Sequence, residues 1–195
     1  CYIKARCGKV ASRDSIGKTI FVALALCIVC SVLVSTVAVN LRPMQNINKA
    51  LDKKRNILQA AGLLEEGADI ETLYQNIEAK VIDISTGEYV DVDGVTYDQR
   101  RAAKDPATSV AVATKKDIAN IKRQAKQASV YLVRQKGKIK KVILPVHGLG
   151  LWSTLYGFIA IDAKNLSTIK GLVYYEHAET PGLGGEVDNP SWKAL

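Results

Sequence analysis

Hydrophobic and polar positions fall into three regimes along the chain. From Thr19 to Val39 the string TIFVALALCIVCSVLVSTVAV carries no charge, and about 21 helical residues at about 1.5 Å each cross a hydrocarbon core of about 30 Å. The run is longer than the apolar stretch of a signal peptide and continues into Leu41, Arg42 and a helical segment, so an uncleaved anchor is predicted. Next, Ile47, Ala50, Leu51, Ile57, Leu58 and Ala61 recur at near-helical spacing opposite Lys53, Lys54 and Arg55. That spacing predicts an amphipathic helix ending near Gly62, whose basic face suits either lipid phosphates or solvent. A second short helix is expected to open at Asp69 and run through Ala79. A hairpin of Val81–Ile84 with Tyr89–Val90 around Thr86-Gly87 follows it. Tyr97–Lys104 and Thr114–Gln127 are polar, basic and helix-prone, with Pro106 breaking between them.

From Ser129 the period changes to two. SVYLVR, KVILPV, TLYGFIAID and IKGLVYYEH, with turns at Lys136-Gly137 and Lys164-Asn165, predict a four-stranded antiparallel meander. Alternation puts Val142, Leu144 and Val146 on one face of their strand. In the next strand Leu155, Gly157, Ile159 and Ile161 oppose Tyr156, Phe158 and Ala160. Both faces are apolar, so helices are expected over one, leaving the other for a ligand or partner. Pro145 cannot donate to a ladder and marks an edge or bulge. The organisation read from these patterns is a basic segment at 1–18, a transmembrane helix at 19–41 and a soluble domain of α+β class at 42–195.

Charge alters this picture little. The formal charge is +8 over 195 residues, but Lys and Arg lie in helical or flanking stretches without interleaved exposed aromatics, which argues against nucleic acid as a partner. Lys4, Arg6, Lys9, Arg13 and Lys18 precede the span, and Arg42, Lys49, Lys53, Lys54 and Arg55 follow it. The positive-inside count is therefore close to a tie and does not set orientation. Of four cysteines, Cys1 and Cys7 precede the span and Cys27 and Cys30 lie within it, so the soluble part has no disulfide framework. Cys27 and Cys30 read as two small apolar helix residues.

Candidate chemistry concentrates in two glycine loops, His147-Gly-Leu-Gly-Leu-Trp152 and Glu179-Thr-Pro-Gly-Leu-Gly-Gly-Glu186. Neither has the third spaced glycine and following helix of a dinucleotide fingerprint, and no Walker motif occurs. Pro181-Gly182 predicts a type II turn. Gly184-Gly185 would let backbone N–H groups converge on a phosphate or a heterocycle edge, with Thr180 adding a hydroxyl and Trp152 or Leu183 an apolar surface. The alternative is a pair of plain meander connections with Trp152 in the core. His147 and His177 have no ligand set around them for zinc or iron, and no G-x-S-x-G is present. Residue types alone thus yield no catalytic residues and no metal site. Glu176, Glu179 and Glu186 read as solvated or N-capping glutamates.

The anchor followed by LPVHGLGLWSTLYGFIAID and GLVYYEHAETPGLGGEVDNPSW resembles the C-subunit family of the bacterial sodium-translocating NADH:quinone oxidoreductases, part of the wider FMN-binding-domain family that also includes a component of the Rnf complex. The resemblance spans Ser15 to Leu195 and is most specific at Pro145–Trp152 and Glu179–Gly185. It implies a single-pass protein of the bacterial inner membrane whose soluble FMN-binding domain is periplasmic. FMN would be joined through its phosphate to a threonine in a Ser-Gly-Ala-Thr motif. Asp105-Pro-Ala-Thr108 does not match that motif, so the attachment threonine is expected beyond residue 195 and the domain is read as C-terminally incomplete. Leu151, Trp152, Glu179, Thr180, Leu183 and Gly184 would line the flavin pocket. The resemblance further implies electron transfer within a larger complex, with other subunits and membrane lipid as partners and with NADH and quinone bound by partner subunits. An Rnf-type electron carrier and a non-redox periplasmic scaffold are the alternatives.

Overall fold

The computed structural model describes residues 15–65 and 67–193; the expected basic residues Lys4, Arg6, Lys9 and Arg13, with Cys1 and Cys7, lie outside them. The chain divides into two units, one up to Lys49 and one from Ala50 onward. The first is the N-terminal part of helix α1 (Ile16–Ala61), which continues through Pro43 as one element. Its most apolar window is entirely unburied, as a segment solvated by lipid would be. Polar side chains there fold back onto the helix: Thr36 Oγ1 donates to the Val32 carbonyl at 2.7 Å and Asn40 Nδ2 to the Thr36 carbonyl at 2.8 Å, so the helix backbone satisfies these groups.

In the second unit, α1 ends where the sequence predicts. Gly62 adopts φ +64°, a conformation that costs glycine little. The Gly62 N–H reaches the Gln59 carbonyl at 3.0 Å and the Leu63 N–H the Leu58 carbonyl at 2.9 Å, the paired bonds of a Schellman stop. Lys141 donates its ammonium to the Ala61 carbonyl, placing a cation at the negative end of the helix.

The sheet has six antiparallel strands in the order β2-β1-β5-β6-β7-β8: β1 Ile77–Asp83, β2 Tyr89–Val90, β5 Gln127–Gln135, β6 Lys138–Leu149, β7 Thr154–Asp162 and β8 Ile169–Glu176. A separate pair, β3 (Ser109–Ala111) and β4 (Arg123–Ala125), stands beside it. The predicted four-stranded meander is therefore the β5–β8 half of this sheet, and the β1–β2 hairpin extends it. Pro145 is accommodated as expected: β6 pairs with β5 only as far as Ile143 but with β7 as far as Leu149, so Pro145 sits where one side of the strand has no partner.

Two predicted helices differ from the structure. Helix α2 covers only Ile70–Tyr74, capped by the Asp69 carboxylate accepting from the Thr72 N–H, and Ile77–Ala79 belong to β1, where they pair with Val133–Tyr131. Helix α3 (Gln99–Lys104) lies within the predicted Tyr97–Lys104 segment, but Thr114–Gln127 is turns followed by β4. The Asp117 carboxylate accepts the Ile121 and Lys122 N–H groups at 2.8 and 2.7 Å, and Asn120 and Lys122 take φ +49° and +64°. Those bonds and the ladder to β3 override a weak helix preference.

The core forms where the end of α1 crosses one sheet face. Ile57, Leu58, Ala60 and Ala61 pack on Ile77, Tyr131, Val133, Ile143, Phe158, Ala160 and Val173. Phe158 meets the edge of Tyr131 at 5.9 Å and stacks on Tyr175 at 5.0 Å. Each buried aliphatic or aromatic side chain contributes on the order of 1.5–3 kcal/mol. The opposite-face residues Val142, Leu144, Leu155 and Ile159 are half-buried. Close approach of helix and sheet depends on Gly171, since a Cβ there would run into the Ala60 carbonyl oxygen. Gly171→Ala is expected to cost about 1–3 kcal/mol, read as a lower urea midpoint in detergent; an unchanged midpoint would contradict this packing.

Candidate flavin site

Strands β6 and β7 pair out to Leu149–Thr154, leaving Gly150–Ser153 as a four-residue connection closed by the Gly150 N–H on the Ser153 carbonyl at 2.7 Å. Strand β8 leaves the sheet at Glu176, beside Tyr156, so the segment after it starts next to this connection. The two glycine loops predicted from sequence are thus neighbours at one end of the sheet.

Glu179 joins them. It is buried, at 8% exposure, and its carboxylate reaches across the gap. Oε2 accepts the Leu151 N–H at 3.3 Å, while Oε1 accepts the N–H groups of Trp152 and Ser153 at 3.1 and 3.0 Å and the Ser153 hydroxyl at 3.1 Å. Ser153 Oγ in turn accepts the Ala178 N–H at 2.8 Å. The reading of Glu179 as a solvated or capping side chain is therefore corrected: it is the inward anchor of the opposite loop. Burial pushes its carboxyl up, but the hydrogen bonds from Trp152, Ser153 and Leu151 outweigh that and hold it below the usual glutamate range. Two glycines make room for the carboxylate. A Cβ on Gly150 would strike its Oε1, and one on Gly184 would lie 2.7 Å from its Oε2.

The following turn is as predicted. Gly182 has φ +76°, and the Leu183 N–H meets the Thr180 carbonyl at 3.1 Å, giving a type II turn over Pro181-Gly182. The expected converging N–H pair at Gly184-Gly185 is not formed. The Gly185 N–H is bonded to the Thr180 carbonyl at 3.0 Å, and Gly184–Asp188 winds into a single 3₁₀ segment. His177 supports the turn from behind. Its Nδ1 accepts the Glu179 N–H at 3.3 Å and its Nε2 meets Asp188 Oδ2 at 2.7 Å, so the hydrogen sits on Nε2.

Because the loop's N–H groups face inward to Glu179, its apolar side chains face out. Leu151, Trp152 and Leu183 are 80, 72 and 72% exposed, which overturns the alternative of a core Trp152. Isolated exposed apolar residues are ordinary, but three on two hydrogen-bonded loops make this end of the sheet a candidate binding surface. All six candidate residues lie on this loop pair. Sequence reasoning missed Ser153, Gly150 and the His177–Asp188 support, since a serine after Trp carries no signal of its own and His177 was weighed only as a metal ligand.

Matches to known proteins converge on the same loops. The model of the FMN-binding domain matches residues 150–194, from the first residue of the β6–β7 connection onward. The structure of Shewanella oneidensis NqrC superposes with a TM-score of 0.69 and 38% identity, covering 76% of this chain and 69% of that one. An FMN-binding domain carried on a membrane-anchoring helix is the class of protein these features define. Relatives from Vibrio anguillarum and Pseudomonas aeruginosa, each named as the C-subunit of a Na(+)-translocating NADH-quinone reductase, are 50% identical over 94% and 95% of this chain and 72% and 73% of their own lengths. The chain belongs to that NqrC family.

The Glu179 bonds predict a signed pH response. A carboxyl held below its unfolded value stabilises the fold fully above the ordinary glutamate pKa of about 4.3 and loses that contribution as pH falls through the lowered native value. Glu179→Gln should leave a flatter acid limb in thermal unfolding between about pH 5 and pH 2. An acid limb identical to that of the parent would contradict the assignment.

Proposed function

We propose that the chain is the membrane-anchored, flavin-carrying electron-transfer subunit of a sodium-translocating NADH:quinone oxidoreductase, contributing to electron flow from NADH to ubiquinone coupled to sodium export. The observation that carries this reading is the outward-facing Leu151, Trp152 and Leu183 surface fixed by Glu179. The residues present fit FMN. Leu and Trp side chains offer a face for the isoalloxazine, the Thr180 side chain stands exposed beside it, and Gly150 and Gly184 permit the close approach of the two loops. FMN, when bound, supplies electron acceptance and donation that no side chain here provides.

What the chain's own residues do is hold and shield. Trp152 and Leu183 cover a planar ring and displace water from it. Thr180 offers a hydroxyl to a polar edge, and Glu179 fixes the loop without exposing its charge to the ligand. We place residues 19–41 across the inner membrane and 42–195 in the periplasm, with NADH and quinone held by partner subunits. The names of the relatives favour this complex over the Rnf-type alternative, and the match of residues 150–194 to the FMN-binding domain favours a flavoprotein over a scaffold.

Trp152→Ala with Leu183→Ala tests the reading in the assembled complex. Stacking of a planar heterocycle on an aromatic side chain is worth about 1–3 kcal/mol, so flavin retention, followed by fluorescence after denaturing electrophoresis, and NADH-driven quinone reduction should fall roughly tenfold. Assembly should be kept. Full retention of flavin and electron flow would leave a scaffold as the better account.

A further inference from the structure

A concavity lies on the α3 side of β6 and β7, with a volume of about 280 Å³. Its lining includes Arg100, Lys104, Lys122 and Arg123 but no carboxylate, with Tyr156 and Tyr175 forming the apolar floor. Arg100 is already matched: its guanidinium takes both Glu176 oxygens at 2.6 and 2.8 Å and lies 3.5 Å over the Tyr156 ring. The other three cations differ. Arg123 is held in place by neutral acceptors, Nε on Ser109 Oγ at 2.8 Å and an Nη on the Ser109 carbonyl at 3.3 Å. Among the described residues, neither it nor Lys104 nor Lys122 has a carboxylate within ion-pair distance.

The wall carrying Lys122 is built rather than incidental. Asn120 and Lys122 both take left-handed φ without being glycine, a conformation that persists only where the surroundings enforce it. The Asp117 carboxylate does so by binding the Ile121 and Lys122 N–H groups, and the Leu149 N–H fastens the loop to β6 through the Ala119 carbonyl at 2.8 Å. His147 stacks on Tyr156 at 5.7 Å, and burial, then the Arg100 charge, lowers its pKa, so it stays neutral and the positive character belongs to the Lys and Arg groups.

We propose that this cavity binds an oxyanion, a phosphate monoester or inorganic phosphate, through Lys104, Lys122 and Arg123, with the ester's organic part against Tyr156 and Tyr175. Three uncompensated cations around one small concavity match a dianion, and Arg and Lys donors recognise phosphate through charge-assisted hydrogen bonds. None of the six candidate flavin-site residues lines it, so a failure of phosphate binding here leaves the flavin reading standing.

The test uses the full chain in detergent at constant ionic strength, with thermal unfolding and calorimetric titration against sodium phosphate, FMN and riboflavin, and sodium chloride as reference. Phosphate should raise the melting temperature saturably where chloride does not. Competition between FMN and phosphate, absent for riboflavin, identifies the source as the flavin's own phosphate, whereas phosphate binding without such competition identifies a separate oxyanion ligand. Lys104→Gln with Lys122→Gln should weaken phosphate binding by about tenfold or more. Lys136→Gln with Lys138→Gln, at the β5–β6 turn away from the cavity, removes the same charge and should leave binding unchanged. Phosphate acting no differently from chloride, or both double variants weakening binding equally, would overturn the proposal.

Discussion

A single buried carboxylate organises the end of the sheet on which function is placed. Glu179 accepts three successive N–H groups and a hydroxyl from the β6–β7 connection, and the outward pose of that connection follows from where those bonds point. A four-residue connection has few ways to satisfy its backbone donors. Turning three of the four toward one internal acceptor, with the Gly150 N–H closing on the Ser153 carbonyl, leaves Leu151 and Trp152 nowhere to go but outward. Burying the acceptor demands donors in return, since an ionised carboxylate away from water is costly unless hydrogen-bonded. Loop and carboxylate therefore require each other, and Gly150 and Gly184 are the positions where a side chain would separate them.

That arrangement stands on a sheet held rigid from the other end of the domain. The Schellman stop at Gly62, with Lys141 on the last helical carbonyl, fixes where α1 finishes, and the closeness of Ala60 to Gly171 fixes how it lies over β8. Phe158, edge-to-face with Tyr131 and stacked on Tyr175, ties β5, β7 and β8 into one layer. The β8 strand thus enters the Glu179 turn from a defined position, which is what a cofactor surface on loops needs from its scaffold.

Much of this was legible in the residues. The uncharged run, the period-two strands and the Pro181-Gly182 turn each have a local cause, and each is found where its pattern placed it. What failed did so for non-local reasons. Thr114–Gln127 has helical composition, but Asp117 captures its own downstream N–H groups and β3 captures the strand. The Gly184-Gly185 donors were expected to face a ligand, yet Thr180 takes one of them. Residue chemistry offered Thr180, Trp152, Leu183 and the Gly184-Gly185 pair, but family resemblance was needed to choose the six candidates, because spacing alone could not separate a ligand loop from a plain connection. The decisive contact, Glu179 with residues 151–153, joins positions 26–28 apart in sequence and leaves no periodic trace. The cationic cavity was hidden for the same reason, its lysines and arginines arriving from α3, the 117–122 loop and β4.

The central claim is that Glu179 turns Leu151 and Trp152 outward and that these two, with Leu183, face the flavin. The most direct measurement is a crystal structure of this protein with FMN bound. The account predicts the isoalloxazine ring packed against Trp152 and Leu183, with Glu179 still bonded to the 151–153 amides. A ring seated elsewhere, on the Val142–Leu144 sheet face for example, with Trp152 still in solvent, would contradict it.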